Sequence, residues 1–178
     1  KSTKPDTQFR GKRLAASGEN ILDISGESGI IETGGKYIVG SDKWFKNQEL
    51  RDRKAKEVYP QIASADNVKA IAQASGLTED EVQTIKNHVF FDKHILYSGN
   101  VDVFQPDYDI AVAFRRLESG KPEDRDILLL KHELYESLCE KKYGLANSEA
   151  HKMARRKYDW QTVIETLNDG DGEEYGLL

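Results

Sequence analysis

LLLKHELYESLCEKKYG, residues 128–144, decides how this chain is read. A Leu-rich run carries His132 and Glu133 side by side, with Glu136 three residues further on. The pattern approaches the zinc-protease helix H-E-x-x-H, but Glu136 stands where the second histidine would be. On a helix, His132 and Glu136 lie one turn apart and about 40° around the axis, so their side chains can touch or share a ligand. Glu133 points elsewhere.

Upstream, Pro122 and the acids Glu123, Asp124 and Asp126 suit the first turn of a long helix that ends near Gly144. Downstream, Asn147 or Ser148 can cap a further helix running past Trp160. That helix places His151, Ala154 and Tyr158 on one face, with Arg155 one turn from His151. The short connection predicts an antiparallel hairpin of the two helices.

Further back, FQPDYDIAVAFRRLESG (residues 104–120) has Asp107 as a cap. Ile110, Ala113, Phe114 and Leu117 follow at helical spacing, and Gly120 is a terminator. Thr78 and Glu81 in TEDE form a capping box for a helix to about His88. Asp42 is expected to cap a helix to about Val58, stopped by Pro60; Ser64 begins another, ended by Gly76. The β-like segments are NILDIS and IIETGGKYIV, joined through the turn residues Gly34-Gly35, which predict a hairpin or three-stranded meander over 19–40. The fold class is mainly α: a helical, bundle-like body with a small N-terminal β element. Residues 1–18 read as a basic linker or arm, 19–164 as one domain, and 165–178 as an acidic flexible tail.

The chain's 178 residues suffice for one domain with a real core. Its net charge of −5 equals the five acids of the segment from Glu165 onward, which leaves the remainder neutral. Basic clusters such as KMARRKY leave room for a local phosphate-binding patch without a basic overall field. The single cysteine, Cys139, excludes an intramolecular disulfide framework and reads as a buried thiol. No run approaches the roughly 20 apolar residues of a membrane span, and no signal peptide opens the chain. The start at Lys1 suggests a fragment of something longer. Trp44 and Trp160 read as packing residues.

His132, Glu136 and His151 form the candidate constellation. The plain reading is a buried polar network that fixes helix register, each group satisfied by the others or by Arg116. His88 and His94, which bracket VFFDK, and the pair Arg115-Arg116 have surface or structural readings beside a role in substrate binding.

The order IKNHVFFDKH, FQPDYDIAVAFRRLESGK, DILLLKHELYE, EAHKMARRKYDW resembles a domain at the C-terminus of phage minor head proteins of the MuF type and of bacterial polymorphic toxins. The resemblance covers roughly residues 57–164. Its R-L, H-E-x-x-E and A-H motifs match Arg116-Leu117, His132-Glu133-Glu136 and Ala150-His151. It implies a delivered effector, carried at the C-terminus of a larger head or delivery protein, secreted or virion-delivered and acting in the target-cell cytoplasm. It also implies a cognate immunity protein; no membrane partner is expected, since no apolar run is long enough to span a membrane.

Two chemistries suit these residues. In a metal-free nuclease, His132 and His151 act as general base and acid on RNA or DNA. Glu136 orients an imidazole, and Arg116 holds the phosphate, supported by Arg115, Arg155, His88 and His94. In a metallohydrolase, His132, Glu136 and His151 bind zinc and Glu133 is the base. The departure of H-E-x-x-E from the usual zinc helix favours the first, with no cofactor. A non-enzymatic phage-head or partner-binding module is the third reading.

Overall fold

The computed structural model describes residues 40–168, all within the unit Gly35–Leu178. The hairpin expected at 19–40, the arm at 1–18 and residues 169–178 lie outside the described residues, save Gly40. Seven helices and one two-stranded hairpin make up the described part: α1 (Asp42–Ser64), α2 (Val68–Ser75), α3 (Glu79–Phe90), β1 (His94–Ile95), β2 (Val101–Asp102), α4 (Tyr108–Glu118), α5 (Asp124–Tyr143), α6 (Asn147–Lys157) and α7 (Trp160–Asn168). The mainly α class is borne out.

Local chemistry sets most boundaries. The Thr78–Glu81 capping box starts α3, and the Asp107 carboxylate accepts the backbone N–H of Ile110 at the start of α4. Gly144, at φ +63°, ends α5 in the left-handed conformation that a side chain would strain.

Several expected boundaries need correction. Ser41, not Asp42, caps α1, and α1 runs through Pro60 to Ser64. Proline removes one backbone donor. Val58, Tyr59 and Ile62, all buried, carry the helix across that defect. Ser64 therefore closes α1, and α2 begins later, after Asn67. The helix expected to run past Trp160 is broken at Tyr158-Asp159 into α6 and α7. Asp159 drives the break: its carboxylate accepts the backbone N–H and the hydroxyl of Thr162, which is N-cap chemistry for α7. Helix α7 reaches Asn168, so the acidic stretch 165–178 begins as helix.

The hairpin of β1 and β2 pairs His94 with Asp102 and Ile95 with Val101 in antiparallel register. It turns through Leu96–Asn100, where Gly99 has φ +82°. Helix α5 is the centre, packed by α3, α4, α6 and α7, while α4 packs on α1, α2 and α5. Ile62, Ile71, Ile85, Phe114, Leu117, Leu129 and Leu130 form the middle of the core, each fully buried. At 25 cal/mol/Å2, each such side chain contributes about 1.5–3 kcal/mol of burial.

Candidate metal centre

The inward face of α5 changes character along its length. Leu129 and Leu130 serve the apolar core, while His132, Glu133 and Glu136, all at most 2% exposed, continue the buried surface with ionisable groups. Glu140, four residues beyond Glu136, extends the same face.

Helix α6 turns back along α5 and supplies the partners in reverse order. Asn147 Nδ2 donates to Glu136 Oε1 and, at 3.0 Å, to Glu140 Oε1; one turn later His151 reaches Glu136 and His132. Three atoms converge: His132 Nε2 to Glu136 Oε2 is 3.2 Å, His151 Nδ1 to Glu136 Oε2 is 2.8 Å, and His132 Nε2 to His151 Nδ1 is 3.2 Å. The expected convergence of His132, Glu136 and His151 is present.

The break between α6 and α7 serves this triad. At the end of α6 the Tyr158 carbonyl accepts the Nδ1–H of His132 at 2.8 Å. With Nδ1–H committed to this bond, His132 turns Nε2 toward Glu136 and His151; once the ring is neutral, the Nε2 lone pair is free for a metal, the arrangement that orients metal-binding imidazoles.

The other two histidines complete the cluster. His88 Nε2 lies 3.4 Å from Glu136 Oε1 and 3.6 Å from Glu133 Oε2. His94 Nε2–H donates to the His88 carbonyl at 2.9 Å, and its Nδ1 meets Glu140 Oε2 at 2.8 Å. Phe104 stacks on His94, with ring centroids 3.8 Å apart, and meets His88 edge-on.

Burial lowers the pKa of His132, but the hydrogen bond to Glu136, the charges of Glu133 and Glu136 and the Tyr158 carbonyl outweigh it and raise the net value. His88 follows the same logic: burial lowers it, while Glu136, Glu133 and Glu140 raise it further. For Glu136, burial favours the neutral acid; His132 and His151 at its Oε2, with the His88 imidazole nearby, reverse this and hold it well below the usual carboxylate range.

Several residues stand elsewhere than their expected roles require. Arg116 clamps Asp126 through two bonds of 2.8 and 2.6 Å at the first turn of α5, about 9 Å along the axis from His132. There it also lies 3.7 Å from Glu123, apart from the triad. Arg115 pairs with Glu118 and Gln61. His88 and His94, at 1% and 2% exposure, are sealed in the cluster, where no solvent-borne substrate meets them. Arg155 donates to Asp159 and Thr162 and lines a shallow surface groove of about 350 Å3 with Lys152, Arg156 and Asp159.

Glu140, Asn147, Phe104 and the Tyr158 carbonyl were not anticipated. Glu140 had a signal, its spacing of four from Glu136; a backbone carbonyl has none. Cys139 is buried, as expected.

The arrangement can do two things. It can hold protons among histidines and carboxylates as a structural network, or exchange those protons for a divalent cation, since imidazole nitrogens and carboxylate oxygens are the ligands zinc takes. No family model, no curated protein and no solved structure matches this chain.

Proposed function

We propose that this chain is a metal-dependent hydrolase of phosphodiesters, with a divalent ion of the zinc class held by His132 Nε2, Glu136 Oε2 and His151 Nδ1. One observation carries the reading: the three atoms form a triangle with edges of 3.2, 2.8 and 3.2 Å. Atoms bound 2.0–2.1 Å from a tetrahedral zinc lie about 3.3–3.4 Å apart, so an ion enters with shifts of a few tenths of an ångström. An ion there would supply Lewis acidity and lower the pKa of bound water.

The chain's own residues divide the remaining work. The Tyr158 carbonyl holds the His132 ring, and Asn147 holds Glu136 from the other oxygen. His151, with 30% of its side chain exposed, is where the triad meets solvent. Lys152, Arg155 and Arg156 on the same helix give an anionic backbone its electrostatic purchase. Glu133, buried beside Glu136, is the proton acceptor in a one-ion site.

Metal-free acid–base catalysis is less well supported. Its two histidines must both touch the substrate, yet His132 is fully buried, with Nε2 turned to Glu136 and His151. The role of delivered effector with an immunity partner rests on the R-L, H-E-x-x-E and A-H motifs.

The test is cleavage of total RNA and plasmid DNA by purified protein, with and without chelator. The expected result is cleavage that chelator abolishes, zinc or manganese restores, and His151→Ala removes. Cleavage at full rate in chelator would contradict it. Expression in bacteria should arrest growth, relieved by His132→Ala; unimpaired growth at verified soluble expression would favour the non-enzymatic module.

A further inference from the structure

We infer that the cluster holds two divalent ions: beside the first, a second is bound by His88 Nε2, Glu133 Oε2 and Glu136 Oε1, with the Glu136 carboxylate bridging the pair. This rests on the single-ion reading of His132, Glu136 and His151 and extends it.

The bridge follows from how the two oxygens of Glu136 are used. Oε2 faces His132 and His151, and Oε1 faces His88 and Asn147. One carboxylate thus separates two donor sets, each offering two further ligand atoms. The ligand atoms of each set lie within 4.8 Å of one another.

The second set also carries a deficit that the first does not. His88 Nε2 and Glu133 Oε2 are both buried and neither has a hydrogen-bond partner. Buried polar atoms are nearly always paired, and an unpaired one costs about 1–3 kcal/mol. These two orphans belong to side chains 1% and 2% exposed, face each other across 3.6 Å, and lie beside Glu136 Oε1, 3.4 Å from His88. Such gaps are long for hydrogen bonds and close to the edge of a metal's coordination shell.

His88 is held for the task. Its ring packs edge-on against both His94 and Phe104, its Nδ1 lies 3.9 Å from Glu140 Oε2, and its carbonyl receives His94 Nε2–H. The Glu140 carboxylate thus stands behind the far nitrogen, beyond hydrogen-bond distance. Charge points the same way. Buried Glu133 and Glu136 and partly buried Glu140 bring three carboxylates together, and among the described residues their ion-pair partners are all histidines. Metal binding takes the histidines in their neutral form, and the three carboxylates then leave three negative charges for cations to balance. Two ions would meet that demand, and carboxylate-bridged ions about 3.5–4 Å apart suit phosphodiester hydrolysis. In this arrangement Glu133 is a ligand, not a base.

The experiment is a metal count. The full chain is stripped with chelator, equilibrated with Zn2+ or Mn2+, freed of excess ion and analysed by mass spectrometry of the elements, beside His88→Gln, Glu133→Gln and His151→Ala, with folding checked by circular dichroism. The expected result is two equivalents in the parent protein, one in folded Glu133→Gln and His88→Gln, and a spin-coupled electron paramagnetic resonance spectrum for the Mn2+ form. One equivalent in the parent, lost in His151→Ala, overturns the second ion and leaves the first standing. Two equivalents that survive in His88→Gln and Glu133→Gln overturn it as well, and no bound metal overturns both readings. Should either buried variant fail to fold, the parent's count and the spin coupling decide alone.

Discussion

The two halves of α5 present one inward face with opposite chemistry. Around Leu129 and Leu130 the helix meets Ile85, Phe114 and Leu117, side chains whose burial stabilises the fold through dispersion and the release of water. Around His132, Glu133 and Glu136 it buries groups that each cost free energy to dehydrate, recovered only through mutual contacts. Fully apolar replacements of similar volume would often serve stability equally well. The polar half, with His132 and the carboxylates beside it, thus adds little to stability, whereas the apolar half holds the fold; on the metal reading proposed above, the polar half holds an ion.

Breaking the apolar half should give the largest loss of stability. Leu129→Ala leaves a cavity in the core and should cost about 2–5 kcal/mol, read from denaturant unfolding. The loss should be the same with or without zinc, because the cavity lies outside the ligand set.

Breaking the polar half should act through the ion. A ligand present at a hundred times its Kd stabilises by about 2.7 kcal/mol, and Glu136→Gln should abolish that zinc-dependent increment in thermal unfolding. An increment that persists in Glu136→Gln would remove Glu136 from the ligand set.

The pH profile sharpens the contrast, with a smaller effect. His88 and His132 have raised pKa values in the folded chain, so their stabilisation is complete below about 6.5 and is lost as pH rises through the folded values. Glu136, held low, contributes above its ordinary value near 4.5 and loses that contribution as pH falls through its folded value. Metal-free protein should thus weaken on the alkaline side, while zinc, which competes with the same protons, should stabilise more strongly there. A parallel pH dependence with and without zinc would speak for a structural network.

The smallest effect is expected at the helix break. Asp159→Ala removes the N-cap of α7 and should cost about 0.5–2 kcal/mol, while Asp159→Asn, an equally good cap, should be nearly neutral. Zinc affinity should fall in the alanine variant, because the Tyr158 carbonyl that orients His132 sits at that break.

The parts of this arrangement that sequence could show are those set by neighbours in the chain. Asp107, the Thr78–Glu81 box and Gly144 mark ends of helices by local hydrogen bonds and backbone conformation, and each is found there. The spacing of His132 and Glu136, and the short link to α6, likewise foreshadow the triad. What failed was decided at long range or by a competing local motif. Pro60 argues for a stop, yet burial of Tyr59 and Ile62 overrides it. The break at Tyr158-Asp159 hid inside a helical pattern, because Asp159 and Thr162 also suit an exposed helix face. His88 and His94 come to Glu136 and Glu140 through the packing of α3 on α5 and the turn of the small hairpin, which no spacing encodes.

The most direct test of the account is an anomalous-scattering measurement on crystals of the zinc-loaded chain, recorded on both sides of the zinc edge. The account predicts a difference peak about 2.0–2.2 Å from His132 Nε2, Glu136 Oε2 and His151 Nδ1. Crystals grown with excess zinc that show no peak among these atoms, or zinc only at surface side chains, would contradict it and return the cluster to a purely structural role.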